Sequence, residues 1–338
     1  MAYIALPDPR FTYLGRRDAN EEKTMLWWSG SGVRFTLKCT HLIARVTSAH
    51  RDHAAWLGVM LDGAPVARMP LLRGTRDYPL LAGMEAGVPH QVTILKDTQC
   101  GYDEDGPVIL EGIETDGEVS PAPARPMLLE FIGDSLTVGE GTLGPESGQE
   151  WRMVYISHMP AFPTLVSEAL GAEKRVVALG GWGAARGWDN NRDSCIGRIY
   201  DRLCAVIPGG DRPIDAERPA DAVIINLGTN DATALSNLTG ADREEMLREI
   251  HDQAIALIRL ARKRNPEAVI LWAYGLCGNQ LESALRQAVS DSGDANCRYL
   301  PLTMAEGNGS RFHPSRKSHE TAAREIIRAL KASLPAAE

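Results

Sequence analysis

Apolar and polar residues alternate with a period of two through the first third of the chain. Val33, Phe35, Leu37 and Cys39 interleave with Arg34, Thr36, Lys38 and Thr40, a pattern that buries one face of a strand and wets the other. Leu42, Ala44 and Val46 repeat it. Trp56–Leu61 runs into Asp62-Gly63, a pair suited to the positive-φ positions of a tight hairpin. Gln91–Lys96 and Val108–Ile113 read as further strands, the second followed by Asp116-Gly117. Short strands separated by turn residues predict a β-sandwich, jelly-roll-like, over residues 1–120. Residues 121–126, Pro121-Ala122-Pro123-Ala124-Arg125-Pro126, read as a linker, because proline has no N–H to give a ladder.

From residue 127 to 338 the pattern changes to apolar strands alternating with amphipathic helices. The expected strands are Leu128–Ile132, Arg175–Leu179, Ala222–Asn226, Ala268–Ala273 and Arg298–Leu302. They are apolar throughout, as parallel strands covered on both faces are. Met246, Ile250, Ala254, Leu257 and Ala261 recur at helical spacing between Asp242 and Arg264, and Asn265-Pro266 stops that helix. A last helix, Ser315–Leu334, brings Ala323, Ile326, Ile327 and Leu330 onto one face. Five βα units of this kind predict an open, doubly wound α/β sheet.

Composition narrows the function classes. The chain has 338 residues, with 36 Lys and Arg against 44 Asp and Glu, a net charge of −8. That balance argues against nucleic-acid binding, which needs a basic face. No apolar run approaches 18 residues, so no membrane partner is expected. Six cysteines without a CxxC motif read as reduced thiols. Met1–Arg10 shows neither a basic n-region nor an apolar h-region, which points to a cytoplasmic protein, with secretion left open should a leader be missing. Oligomeric state is not readable here.

In open α/β sheets, ligands bind beyond the carboxyl ends of the strands. The first expected strand is followed by Gly133-Asp134-Ser135-Leu136-Thr137, the second by Gly180-Gly181-Trp182-Gly183, the third by Gly228-Thr229-Asn230-Asp231, and the fifth by Phe312-His313-Pro314-Ser315. Taken singly these are a capped turn, a loop glycine, a turn amide and a surface histidine. Together on one edge they supply a hydroxyl, an N–H donor, a carboxamide and an imidazole, the set that acyl transfer needs.

These four blocks resemble those of the SGNH/GDSL hydrolase superfamily, at Ser135, Gly181, Asn230 and His313. The likeness extends over the first half: a β-sandwich followed by an SGNH domain is similar to carbohydrate esterase family 2, acetyl esterases that act on plant polysaccharides. Leu26-Trp27-Trp28-Ser29-Gly30-Ser31-Gly32, Leu129-Glu130-Phe131-Ile132-Gly133-Asp134-Ser135, Gly183-Ala184-Ala185-Arg186-Gly187 and Ile199-Tyr200-Asp201-Arg202 carry it. The resemblance implies a flavodoxin-like sheet and a serine esterase that removes O-acetyl groups from xylo-, manno- or gluco-oligosaccharides, without metal or cofactor. It makes Ser135 the nucleophile, His313 the base, and the amides of Ser135 and Gly181 with the Asn230 side chain the oxyanion hole. Asp134 is expected to shape the turn.

One departure stands out. The superfamily commonly has an Asp three residues before the histidine; this chain has Ser310. Some members of the resembled esterase family manage with a dyad, the histidine held by a main-chain carbonyl. Glu306 is the candidate for a third member, with a solvated loop residue as its other reading. Trp182, Trp188 and Phe312 are candidates for lining the substrate, since aromatic faces stack on sugars. His50-Arg51-Asp52-His53 reads as a polar turn, and His319 as a packing or capping residue. Two rival functions remain at this stage: an SGNH lipolytic or thioester hydrolase on non-sugar substrates, and a carbohydrate-binding protein with an inactive esterase fold.

Overall fold

The computed structural model describes residues 1–18, 21–101, 103–214 and 217–334. The chain divides into two compact units, one of Met1–Arg125 with Arg202–Glu217, the other of Pro126–Asp201 with Arg218–Glu338.

The first unit holds two antiparallel sheets. In one, Ala2–Ala5, Val108–Thr115, His41–Ser48 and Gly74–Ala82 lie side by side, with Thr24–Leu26 also on Val108–Thr115. In the other the order is Glu118–Ser120, Gly32–Lys38, His90–Lys96, Trp56–Leu61 and Ala64–Pro70, with Thr12–Leu14 also on Gly32–Lys38. The core is the alternating set read above, Val33, Phe35, Leu37, Leu42, Ala44 and Val46, joined by Leu57, Val59, Val92 and Ile94. Asp62 and Gly63 both have positive φ, +49° and +82°, and close the expected hairpin between Trp56–Leu61 and Ala64–Pro70. Asp116-Gly117 does something else: the strand before it belongs to one sheet and the strand after it to the other. Asp116 fixes this corner by accepting the N–H groups of Thr40 and His41, each at 3.0 Å.

Arg34, on the face expected to be wet, is buried. Its Nη1 donates to the Pro123 carbonyl at 3.0 Å, and Thr36 Oγ1 donates to that of Pro121 at 3.3 Å. The proline-rich stretch therefore lies along the sheet, offering it carbonyls that proline can still supply.

The second unit is a parallel sheet of β1 (Leu128–Gly133), β2 (Glu173–Ala178), β3 (Ala222–Asn226), β4 (Val269–Tyr274) and β5 (Cys297–Pro301), in the order β2-β1-β3-β4-β5. This is the flavodoxin-like order, and its crevice opens where the direction reverses, between β1 and β3. The helices are α1 (Ser135–Val138), α2 (Phe162–Leu170), α3 (Thr229–Ser236), α4 (Gly240–Arg264), α5 (Glu282–Asp291) and α6 (Arg316–Lys331). Met246, Ile250, Ala254, Leu257 and Ala261 of α4 are buried as their spacing requires. No helix among the described residues is long and apolar enough to cross a membrane.

The expectation of five βα units needs correction at β2. Among the described residues there is no α-helix between β2 and β3, only a 3-10 turn at Ile196–Arg198. Gly180-Gly181, Pro208-Gly209-Gly210, Pro213 and Pro219 populate this stretch, and glycine and proline break helices. Part of the connection, Arg202–Glu217, leaves the α/β unit altogether. Within the first unit, Trp28 Nε1 donates to Leu203 O at 2.7 Å and Arg16 Nη1 to Arg202 O at 2.9 Å, and Arg212 pairs with Asp18 and Glu21.

Inside the second unit a polar network crosses the sheet. Glu130 on β1 accepts Arg175 Nε from neighbouring β2 at 2.9 Å, Tyr200 Oη at 2.7 Å and Asn265 Nδ2 at 2.9 Å. Asn265, expected only to stop α4, is fully buried and also takes the Ala220 N–H at 2.7 Å. Removing one partner of a buried pair leaves the other charge uncompensated. Glu130→Ala is therefore expected to lower unfolding free energy by about 3–5 kcal/mol, read as a lower urea midpoint; an unchanged midpoint would refute the network's role.

Candidate active site

β1 ends at Gly133, and the chain turns at once into α1. Asp134 caps that helix, its Oδ1 accepting the Leu136 N–H at 3.0 Å, as expected for a residue that shapes the turn. Ser135 is thereby held at the first helical position, at the carboxyl end of the sheet. His313 arrives from the segment after β5. Its Nε2 is 2.9 Å from Ser135 Oγ, and its Nδ1 is 3.0 Å from the main-chain oxygen of Arg311. A carbonyl can only accept, so Nδ1 carries the proton and Nε2 is left to accept from the serine hydroxyl.

Among the described residues no carboxylate touches Nδ1. Ser310 is buried, pressed against the backbone at Gly144 and Gly148. Glu306 is exposed and forms no ion pair with His313. Among the described residues the carboxylate paired with the imidazole is Glu140, which sequence reading missed: its Oε1 lies 2.8 Å from Arg311 Nη1 and 3.8 Å from His313 Nε2. The signal was present, an acid set between glycines just past the serine block (Gly139-Glu140-Gly141).

Gly181 has φ +84°, and a β-carbon there would sit 3.1 Å from Trp188 Cδ1, so both backbone and space call for glycine. Among the described residues the N–H groups of Ser135 and Gly181 have no acceptor. Asn230, on the first turn of α3, donates from Nδ2 to Trp182 O at 2.8 Å and to Asp134 Oδ2 at 3.3 Å. Its neighbour Asp231 is a second residue whose part was not foreseen. It accepts the N–H groups of Ala184 and Ala185 at 2.8 Å and of Arg186 at 3.0 Å, which ties the loop after β2 to the start of α3. Arg186 in turn pairs with Glu249 and donates to Asn190.

The three aromatic candidates differ. Trp182 is half-buried, whereas Trp188 is 60% and Phe312 73% exposed. His319 is buried, accepts the Phe162 N–H at 3.3 Å, and stacks on the Phe162 ring; burial pushes its pKa down to about 3, which makes it a neutral packing residue. The backbone after His50 is held by Asp103, whose Oδ2 accepts the His53 N–H at 2.7 Å. Among the described residues no group of three or more His, Cys, Asp or Glu is placed to hold a metal ion.

This arrangement can activate a hydroxyl, receive its proton, and offer neutral N–H donors to an oxyanion. The GDSL-like lipase/acylhydrolase family model matches residues 131–331, and the chain belongs to that family. The carbohydrate esterase 2 N-terminal model matches residues 13–123. The cellulase/esterase CelE of Acetivibrio thermocellus is 25% identical over 345 residues, covering 97% of this chain and 40% of that protein. An acetylxylan esterase/glucomannan deacetylase of Cellvibrio japonicus is 22% identical over 340 residues, 96% of this chain and 88% of that one. The chain thus spans less than half of the first relative and most of the second. The solved structure of an acetyl xylan esterase from the rumen bacterium Butyrivibrio proteoclasticus superposes with a TM-score of 0.93 at 28% identity, covering 98% of each chain.

Burial gives the site a pH signature. Desolvation, helped by the charges of Asp231 and Glu140, outweighs the Leu136 hydrogen bond and pushes Asp134 up to about 8. Burial raises Asp231 as well. A carboxyl group protonated in the fold but ionised when unfolded stabilises at low pH, and that stability is lost as pH rises toward the folded value. Asp134→Asn is therefore expected to flatten the fall in stability between pH 6 and 8, which Asp134 steepens by about 1.4 kcal/mol per unit. Urea midpoints of both proteins at the two pH values test this; parallel slopes would count against it.

Proposed function

We propose that the protein is a serine esterase that removes O-acetyl groups from carbohydrate through an acyl-enzyme. The observation that carries this reading is the unbroken relay Ser135 Oγ–His313 Nε2, with His313 Nδ1 on Arg311 O. Ser135 Oγ attacks the acetyl carbonyl while its proton passes to Nε2. The negative charge that gathers on the carbonyl oxygen is met by the N–H groups of Ser135 and Gly181 and by the Asn230 hydrogen that lies only loosely, at 3.3 Å, against Asp134. Collapse breaks the ester bond, and Nε2 returns the proton to the departing sugar hydroxyl. Water then repeats the sequence on the acetyl-serine and releases acetate.

Several observations favour an acetylated sugar over a lipid. Exposed Trp188 packs over Gly181, and exposed Phe312 precedes His313; both offer faces on which a sugar ring can stack. The relatives just named as acetylxylan esterases or a glucomannan deacetylase support acetylated xylo-, manno- or gluco-oligosaccharides as the substrate class. An extra methylene on the acyl group gains about 0.8 kcal/mol only where it is buried, and Thr137, Gly139, Gly141 and Gly183, in the segments that follow Ser135 and Gly181, carry no long aliphatic side chain.

Ser135→Ala and His313→Ala are each expected to abolish hydrolysis of 4-nitrophenyl acetate to a similar degree, because the two act as one unit. Glu306→Ala is expected to lose less than about tenfold, roughly 1.4 kcal/mol of barrier. A serine-directed phosphonate should label Ser135, as read by peptide mapping; label on another serine would sink the mechanism. Across acyl length, kcat/KM should fall from acetyl to octanoyl, with acetate appearing by NMR from acetylated xylan or glucomannan. A rise toward octanoyl with no acetate from any sugar would place the protein among lipolytic hydrolases.

A further inference from the structure

We infer that the Glu140–Arg311 ion pair holds the Arg311 carbonyl against His313, so that Glu140 is the positioning residue that replaces the absent acid. The inference rests on Ser135 and His313 as the reacting pair.

A main-chain carbonyl orients an imidazole only as well as its own peptide is oriented. Here that peptide is in an unfavourable place. Arg311 has φ +54° and Phe312 φ +60°, two successive side-chain-bearing residues in the left-handed region, each disfavoured and held only by its surroundings. Three backbone hydrogen bonds support the turn: Arg311 N–H to Gly148 O at 2.8 Å, Gly309 N–H to His313 O at 2.7 Å and His313 N–H to Ser310 O at 3.1 Å. None of the three reaches the nucleophile. The ion pair does, because Glu140 sits on the nucleophile's own turn, its N–H donating to Ser135 O at 2.9 Å.

The Glu140 side chain is 7% exposed and that of Arg311 40%. A carboxylate this buried is costly unless paired, and Arg311 is the cation that meets it. The same guanidinium keeps the carboxylate from taking the imidazole. Nε2 is 2.9 Å from Ser135 Oγ but 3.8 Å from Glu140 Oε1. With Arg311 removed, the carboxylate would compete with the serine for the Nε2 side of the ring. One pair thus fixes the carbonyl on the Nδ1 side and keeps the Nε2 side open.

The test uses the full chain and 4-nitrophenyl acetate. Glu140→Gln, nearly isosteric, should lower kcat by about 30-fold, equivalent to about 2 kcal/mol, with KM within about twofold. Arg311→Met should lose at least as much, and the double variant should be no worse than Arg311→Met, because the two side chains act together. Glu140→Asp, which keeps the charge, should recover part of the loss and serves as the second variant if Glu140→Gln fails to fold by circular dichroism. A folded Glu140→Gln with kcat within threefold of the original overturns the inference, as do losses that multiply in the double variant or a folded Glu140→Asp no better than Glu140→Gln. Phosphonate labelling separates the two levels. If Ser135 is labelled and Glu140→Gln keeps its kcat, the positioning role alone is wrong. If Ser135 is not labelled and Ser135→Ala stays active, the reading of the reacting pair is wrong and the role of Glu140 falls with it.

Discussion

The hydrogen bond from His313 Nδ1 to the Arg311 carbonyl is the constraint around which the site is organised. A carboxylate attracts an imidazolium from a range of angles because charge acts over distance. A neutral carbonyl holds it only within hydrogen-bond geometry. The precision that charge would otherwise supply must come from backbone, and the chain supplies it with a left-handed turn at 311–312, close packing of Ser310, and anchors at Gly148 and Gly309. Seen this way, Ser310 is less a missing acid than a small residue that lets this turn pack.

Much of this was legible before any coordinate. The strands of the parallel sheet announce themselves as apolar runs, and a glycine or polar block after a strand end implies the crevice side of the sheet, which is why Ser135, Gly181, Asn230 and His313 could be assembled from sequence. What escaped notice depends on side chains meeting across the fold. Glu140 looks like a loop acid until Arg311 arrives from a distant segment. Asp231 looks like a helix-start acid until it gathers three N–H groups from 184–186. Asn265 looks like a helix stop until Glu130 and Ala220 are found against it. Periodicity reports which face is buried; it does not report which polar groups share the burial.

Asp134 and Asp231 show how the crevice keeps its polar groups in order. Both are buried and both are spent on backbone N–H groups: one fixes the serine turn, the other the glycine loop. Asn230 reaches between these two loops through Trp182 O and Asp134. The donors proposed for an oxyanion are thus set by a few hydrogen-bonded side chains, the arrangement that electrostatic preorganisation requires.

The excursion at Arg202–Glu217 changes what counts as a module in this chain. Leu203, Cys204, Ile207 and Ile214 are buried, and the partners that hold this stretch belong to the sandwich unit: Trp28, Arg16 and Asp18. A cut at the proline-rich stretch would leave the second fragment carrying a loop of apolar side chains parted from Trp28, Arg16 and Asp18, and would leave the first fragment without the segment those residues hold. The first unit is thus built from two stretches that lie far apart in sequence. A cut at the proline-rich stretch therefore does not divide the chain along its two units, and a fragment meant to hold the whole first unit must carry Arg202–Glu217 as well as Met1–Arg125.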